Sequence, residues 1–160
     1  MKKKFIFFLF FIIVFLDSYA EGPILLDMRN QLFDEANQIK TLLVKSNEPA
    51  ILINMWNSCM TTVIQLNAYF YMLSIFDTIK TDFLKDDPTV YIIMWLREMK
   101  KTNDLNIKNL AMTKALEPEV KAHIEKLTKF FSDLSKELDF EIDKINVVRK
   151  TLVIRKRSNL

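Results

Sequence analysis

The sequence predicts an all-α protein, an antiparallel up-and-down bundle of four to five helices after a cleaved signal peptide. Three observations lead there. The 160 residues are 50% hydrophobic but include a single Gly, and sheet-rich folds draw on glycine for their tight turns. Four prolines, Pro23, Pro49, Pro88 and Pro118, punctuate the chain, and the last three follow Glu48, Asp87 and Glu117. Between them apolar residues recur at steps of three and four, the period of one helix face.

The first element precedes the bundle. Met1 is followed by Lys2, Lys3 and Lys4, an uncharged apolar run from Phe5 to Leu16, and then Asp17-Ser18-Tyr19-Ala20. A basic start, a short apolar stretch and small residues at the end are the parts of a secretory signal peptide, here cut before Glu21. The run is shorter than the roughly 20 residues of a membrane-spanning helix. Residues 1–20 are therefore expected to be removed and the protein to be exported, to a periplasm or outside the cell. Removal takes away three lysines and one aspartate, leaving 20 basic against 19 acidic residues. A balance so close to neutral gives no field for nucleic acid, so no nucleic-acid partner is expected.

The domain itself is expected over residues 21–148. Proline suits the first turn of a helix because its missing N–H has no partner there, and a neighbouring carboxylate complements the positive end of the helix dipole. Each proline is thus a predicted helix start. Leu25, Met28, Leu32, Ala36, Ile39 and Leu43 form one stripe on a helix over 24–45, closed by the turn Ser46-Asn47-Glu48. The second helix runs from Pro49 to about Lys85 with a coiled-coil-like seam of Leu52, Trp56, Cys59, Val63, Leu66, Phe70 and Leu73, widened by Ile53, Met60, Ile64, Tyr71, Ile75 and Ile79. The third starts at Pro88, carries Tyr91, Ile92, Trp95, Leu96 and Met99, and is expected to break near Lys101-Thr102-Asn103-Asp104, with a short helix through Ile107, Leu110 and Ala111 after it. The fourth carries Val120, Ile124, Leu127, Phe131, Leu134, Leu138, Ile142 and Ile145. Wide stripes and short connections favour antiparallel neighbours.

Chemistry-bearing motifs are scarce. One Cys and one His cannot form a disulfide within the chain or a His-rich metal site, although Cys59 could pair with another molecule, and no glycine-rich phosphate loop or nucleophile elbow occurs. His123 has Glu119 at the wrong spacing for a Glu-x-x-His ligand pair and is expected to be a surface or hydrogen-bonded histidine. Cys59 lies in the apolar seam and is expected to be buried and inert. The absence of Asn-x-Ser/Thr gives no glycosylation site. No enzyme activity, cofactor or metal is expected.

Two stretches stand out as binding candidates. Residues 49–76 contain no charged side chain, although Asn54, Asn57, Ser58, Thr61, Thr62, Gln65, Asn67 and Ser74 make the stretch polar for a lipid-spanning segment. A helix enclosed by others accounts for both facts. An internal cavity walled by Trp56, Thr61, Gln65 and Tyr69, holding a small apolar or amphipathic ligand or lipid, is the alternative. The second stretch is the end of the chain, where Lys144, Arg149, Lys150, Arg155, Lys156 and Arg157 occur without an acidic residue among apolar neighbours. Residues 149–160 are expected to form a basic tail, solvated or docked on an anionic membrane or acidic partner, with a strand-like arm over Val147–Ile154 as a further alternative. The overall expectation is a non-enzymatic module that binds a protein partner or associates with itself.

Overall fold

The computed structural model describes the backbone of residues 22–78 and 88–158, with side chains over 24–75, 89–147 and at 149. The signal peptide, the predicted end of the second helix at Lys85, Ile79 and Asp87 lie outside the described residues. The described chain is all-helical, a bundle of four helices without a strand: α1 (Gly22–Leu42), α2 (Pro49–Thr78), α3 (Pro88–Met112) and α4 (Pro118–Ser158). Three of the four open on a proline, and in α1 Pro23 is the second residue. The strand-like arm over Val147–Ile154 is instead helix, because α4 continues through it to Ser158.

The helices pack as two close pairs, α1 with α2 and α3 with α4, joined chiefly by α2 against α3. The core stripe of α1 falls where the spacing predicts, with Leu25, Met28, Leu32, Ala36 and Ile39 buried and Leu43 packed at its edge. On α4, Val120, Leu127, Phe131, Leu134, Leu138 and Ile142 are buried, with Ile124 and Ile145 against them. Each fully buried Leu or Phe contributes about 1.5–3 kcal/mol by leaving water.

Helix α3 departs from expectation, because it is continuous through Lys101-Thr102-Asn103-Asp104. The buried row Ile92, Leu96, Met99, Asn103, Asn106 and Leu110 keeps its step of three or four through that polar stretch. Asn103 is accommodated because its Nδ2 donates to the Phe131 carbonyl at 2.5 Å and to Ser135 Oγ at 2.7 Å, and Ser135 Oγ donates to Asp104 Oδ1 at 2.9 Å. The Nδ2 bonds offset part of the cost of burying the amide, whose Oδ1 is left without a partner, and the polar run marks a contact between α3 and α4. Lys100 meets Asp139 nearby.

On α2 the inward face is Leu52, Met55, Cys59, Thr62, Val63, Leu66 and Tyr69. Trp56, Phe70 and Leu73 are only partly buried, and Ile53, Ile64, Tyr71 and Ile75, predicted to widen the seam, are exposed. The helix is apolar all round, so its own periodicity does not select the face that turns inward.

The two turns within the helix pairs clasp each other. Glu48 and Glu117 are the N-cap residues of α2 and α4, their carbonyls receiving Leu52 N–H at 3.3 Å and Lys121 N–H at 3.0 Å. Their carboxylates are exchanged between turns. Glu48 accepts from the backbone N–H groups of Leu116 and Glu117, both at 2.8 Å, while Glu117 accepts from Asn47 N–H at 2.7 Å and Ser46 Oγ at 2.6 Å. The acidic residues before Pro49 and Pro118 thus serve the opposite turn as well as the start of their own helix.

The hydrogen bond from Ser46, then that from the Asn47 backbone, hold the Glu117 carboxyl below the usual carboxylate range. Above about pH 5 this carboxylate is ionised in folded and unfolded chains alike and its stabilisation is complete; the contribution is lost as pH falls through the lowered folded value. Glu117→Gln is therefore expected to flatten the acid limb of the stability curve, followed by urea denaturation at stepped pH. Asp133, held low chiefly by Lys136, titrates in the same window in both proteins and cancels in the comparison. A constant gap between the two proteins across the acid range would exclude Glu117 as the titrating clasp.

Candidate functional site

The four residues predicted to wall a cavity are placed differently from one another. Tyr69 is buried, and its hydroxyl donates to Glu141 Oε1 at 2.8 Å. Burial, followed by the charge of Glu141, pushes the phenol well above its ordinary pKa. Gln65 is half-buried between helices, its Nε2 donating to Thr102 Oγ1 at 3.3 Å and its backbone carbonyl accepting from Trp95 Nε1 at 3.2 Å. Trp56 is half-buried against the core, and Thr61 is exposed. Gln65 and Tyr69 thus tie α2 to α3 and α4, while the buried Thr62 hydroxyl donates to the Ser58 carbonyl of its own helix. Among the described residues, no helix is long and apolar enough to cross a membrane.

A polar cluster that the spacing did not single out lies between α1 and α4. Glu35 occupies a buried position on the α1 stripe, with its side chain 4% exposed. His123 Nδ1 lies 2.6 Å from its Oε1, and an ionised carboxylate there requires the proton on Nδ1. Lys126, more than half exposed, forms an ion pair with Oε2. Two open depressions flank the cluster, about 470 Å³ beside Lys45, Glu119 and His123, and about 310 Å³ beside Asp34, Glu35 and Lys126. Neither includes Trp56, Thr61, Gln65 or Tyr69 in its walls. His123 is thus a satisfied histidine. The signal for Glu35 was available, since residue 35 falls at a step of three after Leu32 and four before Ile39, and an acid on an apolar stripe implies a partner from another helix.

Cys59 is buried, and burial, with the charge of Glu35 adding to it, pushes its thiol up to about 12. It stays protonated at neutral pH, without the thiolate that nucleophilic or redox chemistry needs. Among the described residues, no group of three His, Cys, Asp or Glu side chains is placed to hold a metal ion.

At the chain's end, Lys144 is largely buried and lies 3.9 Å from Glu141 Oε2, while Arg149 is half-buried. The side chains of Lys150, Arg155, Lys156 and Arg157 lie outside the described residues, although their backbone belongs to α4. At 3.6 residues per turn the six basic positions fall around the helix, not along one side.

The most distinctive surface is the outer side of α2. Ile53 is 45% exposed, Ile64 63%, Tyr71 70% and Ile75 36%, alongside exposed Asn54, Asn57, Thr61 and Asn67. Charged side chains line the exposed sides of the other helices, such as Asp27 and Lys40 on α1, Arg97 and Glu98 on α3, and Lys121 and Glu125 on α4. Arg29 of α1 reaches the edge of this surface, its Nη1 donating to Asn67 Oδ1 at 3.1 Å, with exposed Leu26 before it and Phe33 after it on α1. Comparison of the chain with protein-family models, with curated proteins and with solved structures finds no match.

Proposed function

We propose that the chain is an exported protein, periplasmic or extracellular, whose mature part begins at Glu21 and acts without chemistry as a protein-binding or structural module. Its helices run up and down, neighbours antiparallel. Contacts of opposite numerical order support that arrangement, with Lys100 against Asp139 but Asp104 against Ser135, and Arg29 of early α1 against Asn67 of late α2. Residues 21–148 form the domain, and 149–160 are a basic tail along which the last helix continues to Ser158.

One observation carries the functional reading: a surface helix that offers apolar and amide groups to water over its length without a charge between residues 49 and 76. Contiguous exposed apolar surface is costly to keep in a soluble domain and marks sites where another macromolecule docks. Aromatic and aliphatic anchors among hydrogen-bonding amides, with charge depleted at the centre, are the composition of protein interfaces.

A photoreactive amino acid placed at Ile64 and, separately, at Glu125 tests the reading in the producing cell. Crosslinks to protein are expected from position 64 and not from 125. Their absence from position 64 would contradict a protein-binding role for this face.

A further inference from the structure

We infer that the outer face of α2 pairs with the same face of a second copy of this chain, the two helices antiparallel about a two-fold axis at Ile64. The inference rests on the module reading and names its partner.

The strip is palindromic about that residue. Ile53, Asn57, Met60, Ile64, Ala68, Tyr71 and Ile75 follow one another at steps of 4, 3, 4, 4, 3 and 4, which keeps them on one side of the helix. Ile53, Asn57, Ile64, Tyr71 and Ile75 are exposed, and Met60 and Ala68 are half-exposed between them. A two-fold at Ile64 sets that residue against its own copy, Ile53 against Ile75, Asn57 against Tyr71, and Met60 against Ala68. Each match is chemically sensible. Isoleucines meet at the centre and both ends, a long side chain meets a small one, and a phenol meets an amide that can both donate to it and accept from it.

Charge supports the same occupant. In a two-fold interface every residue near the axis meets its own kind, so a charge there would face a like charge. This strip has none. Antiparallel pairing also sets each helix dipole against the opposite end of its partner. Ile53 to Ile75 spans about 33 Å at roughly 1.5 Å per residue, and at about 10 Å wide offers roughly 330 Å² per copy. The strips of the two copies together bury roughly 660 Å², below the size of stable specific interfaces and within that of weak, transient contacts. The dimer is therefore weak and concentration-dependent.

Disulfide trapping of the full chain as the cell exports it tests the register. Ile64→Cys is expected to give a covalent dimer under mild oxidation. Ile53→Cys and Ile75→Cys should crosslink efficiently only when the two variants are mixed, and Glu125→Cys should remain monomeric. Cys59 stays silent because it is buried. Sedimentation provides a second reading: the fraction of dimer should rise with concentration in the wild type and be lost in Ile64→Lys, with helical circular dichroism unchanged. Self-crosslinking of Ile53→Cys without the mixed product would overturn the antiparallel pairing. A monomer under all these conditions would overturn self-association. If a photoreactive group at position 64 then captures a different protein, the module reading stands and this inference falls; if it captures none, both fall. Binding of the wild type, but not Ile64→Lys, to neutral phosphatidylcholine vesicles without dimerisation would assign the face to lipid and overturn the inference.

Discussion

Phe131→Ala is expected to lower the unfolding free energy by about 3–5 kcal/mol, the range for removing a large aromatic side chain from a packed core. Phe131 is fully buried about a third of the way along α4, with its ring edge-on to Phe130 at a centroid distance of 6.0 Å. Its backbone carbonyl receives the Asn103 amide from α3. That hydrogen bond fixes the spacing of the two helices where the ring is lost and limits collapse around the void. A domain of this size has a net stability of about 5–15 kcal/mol, so the loss should be plain as a shift of the urea midpoint at constant slope. Phe140→Ala is the control, because Phe140 is 57% exposed and should cost less than about 1 kcal/mol. Equal effects at the two positions would mean that the buried stripe of α4 is wrongly placed.

The second large effect concerns the cluster between α1 and α4. His123→Leu removes the hydrogen bond to Glu35 and leaves a buried carboxylate with only Lys126, an ion-pair partner held at the surface. Removing one member of a buried pair costs about 3–5 kcal/mol, and the remaining lysine moves the expectation toward about 3. Glu35→Leu should cost less, since an imidazole at the protein's edge can turn to water. The double variant Glu35→Leu, His123→Leu should recover most of the loss, because two apolar side chains can fill the space that the pair occupied. The four proteins form a double-mutant cycle, read by chemical denaturation. Additive effects would show that the two side chains are not coupled.

These two sites mark what could be read locally and what could not. Pro49, Pro88 and Pro118 declare helix starts because the reason is local: a residue without an N–H fits where no N–H is needed. The stripes of α1 and α4 were equally legible, since their polar and apolar sides differ. Asn103 was not, because its burial depends on the Phe131 carbonyl and Ser135 hydroxyl on another helix. A polar run reads as a break until its partners are known. On α2 the difficulty is of another kind: Ile53 and Ile64 are as apolar as Met55 and Leu66, so only packing against α1, α3 and α4 decides which set is covered. Glu35 and His123 are 88 residues apart, and only the fold brings them together. The candidate interface became visible through the same ambiguity, since a helix with apolar groups on every side leaves part of them outside the bundle.

The proposed exported bundle uses the uncharged outer face of α2 to bind protein, its own copy first. Native mass spectrometry of the wild type and Ile64→Lys, each purified gently from the exported fraction over a range of concentrations, tests it most directly. The expected result is a chain beginning at Glu21, a dimer that grows with concentration in the wild type, and only monomer in the variant. A wild-type monomer at every concentration, above all one carrying a lipid- or metabolite-sized adduct, would contradict it.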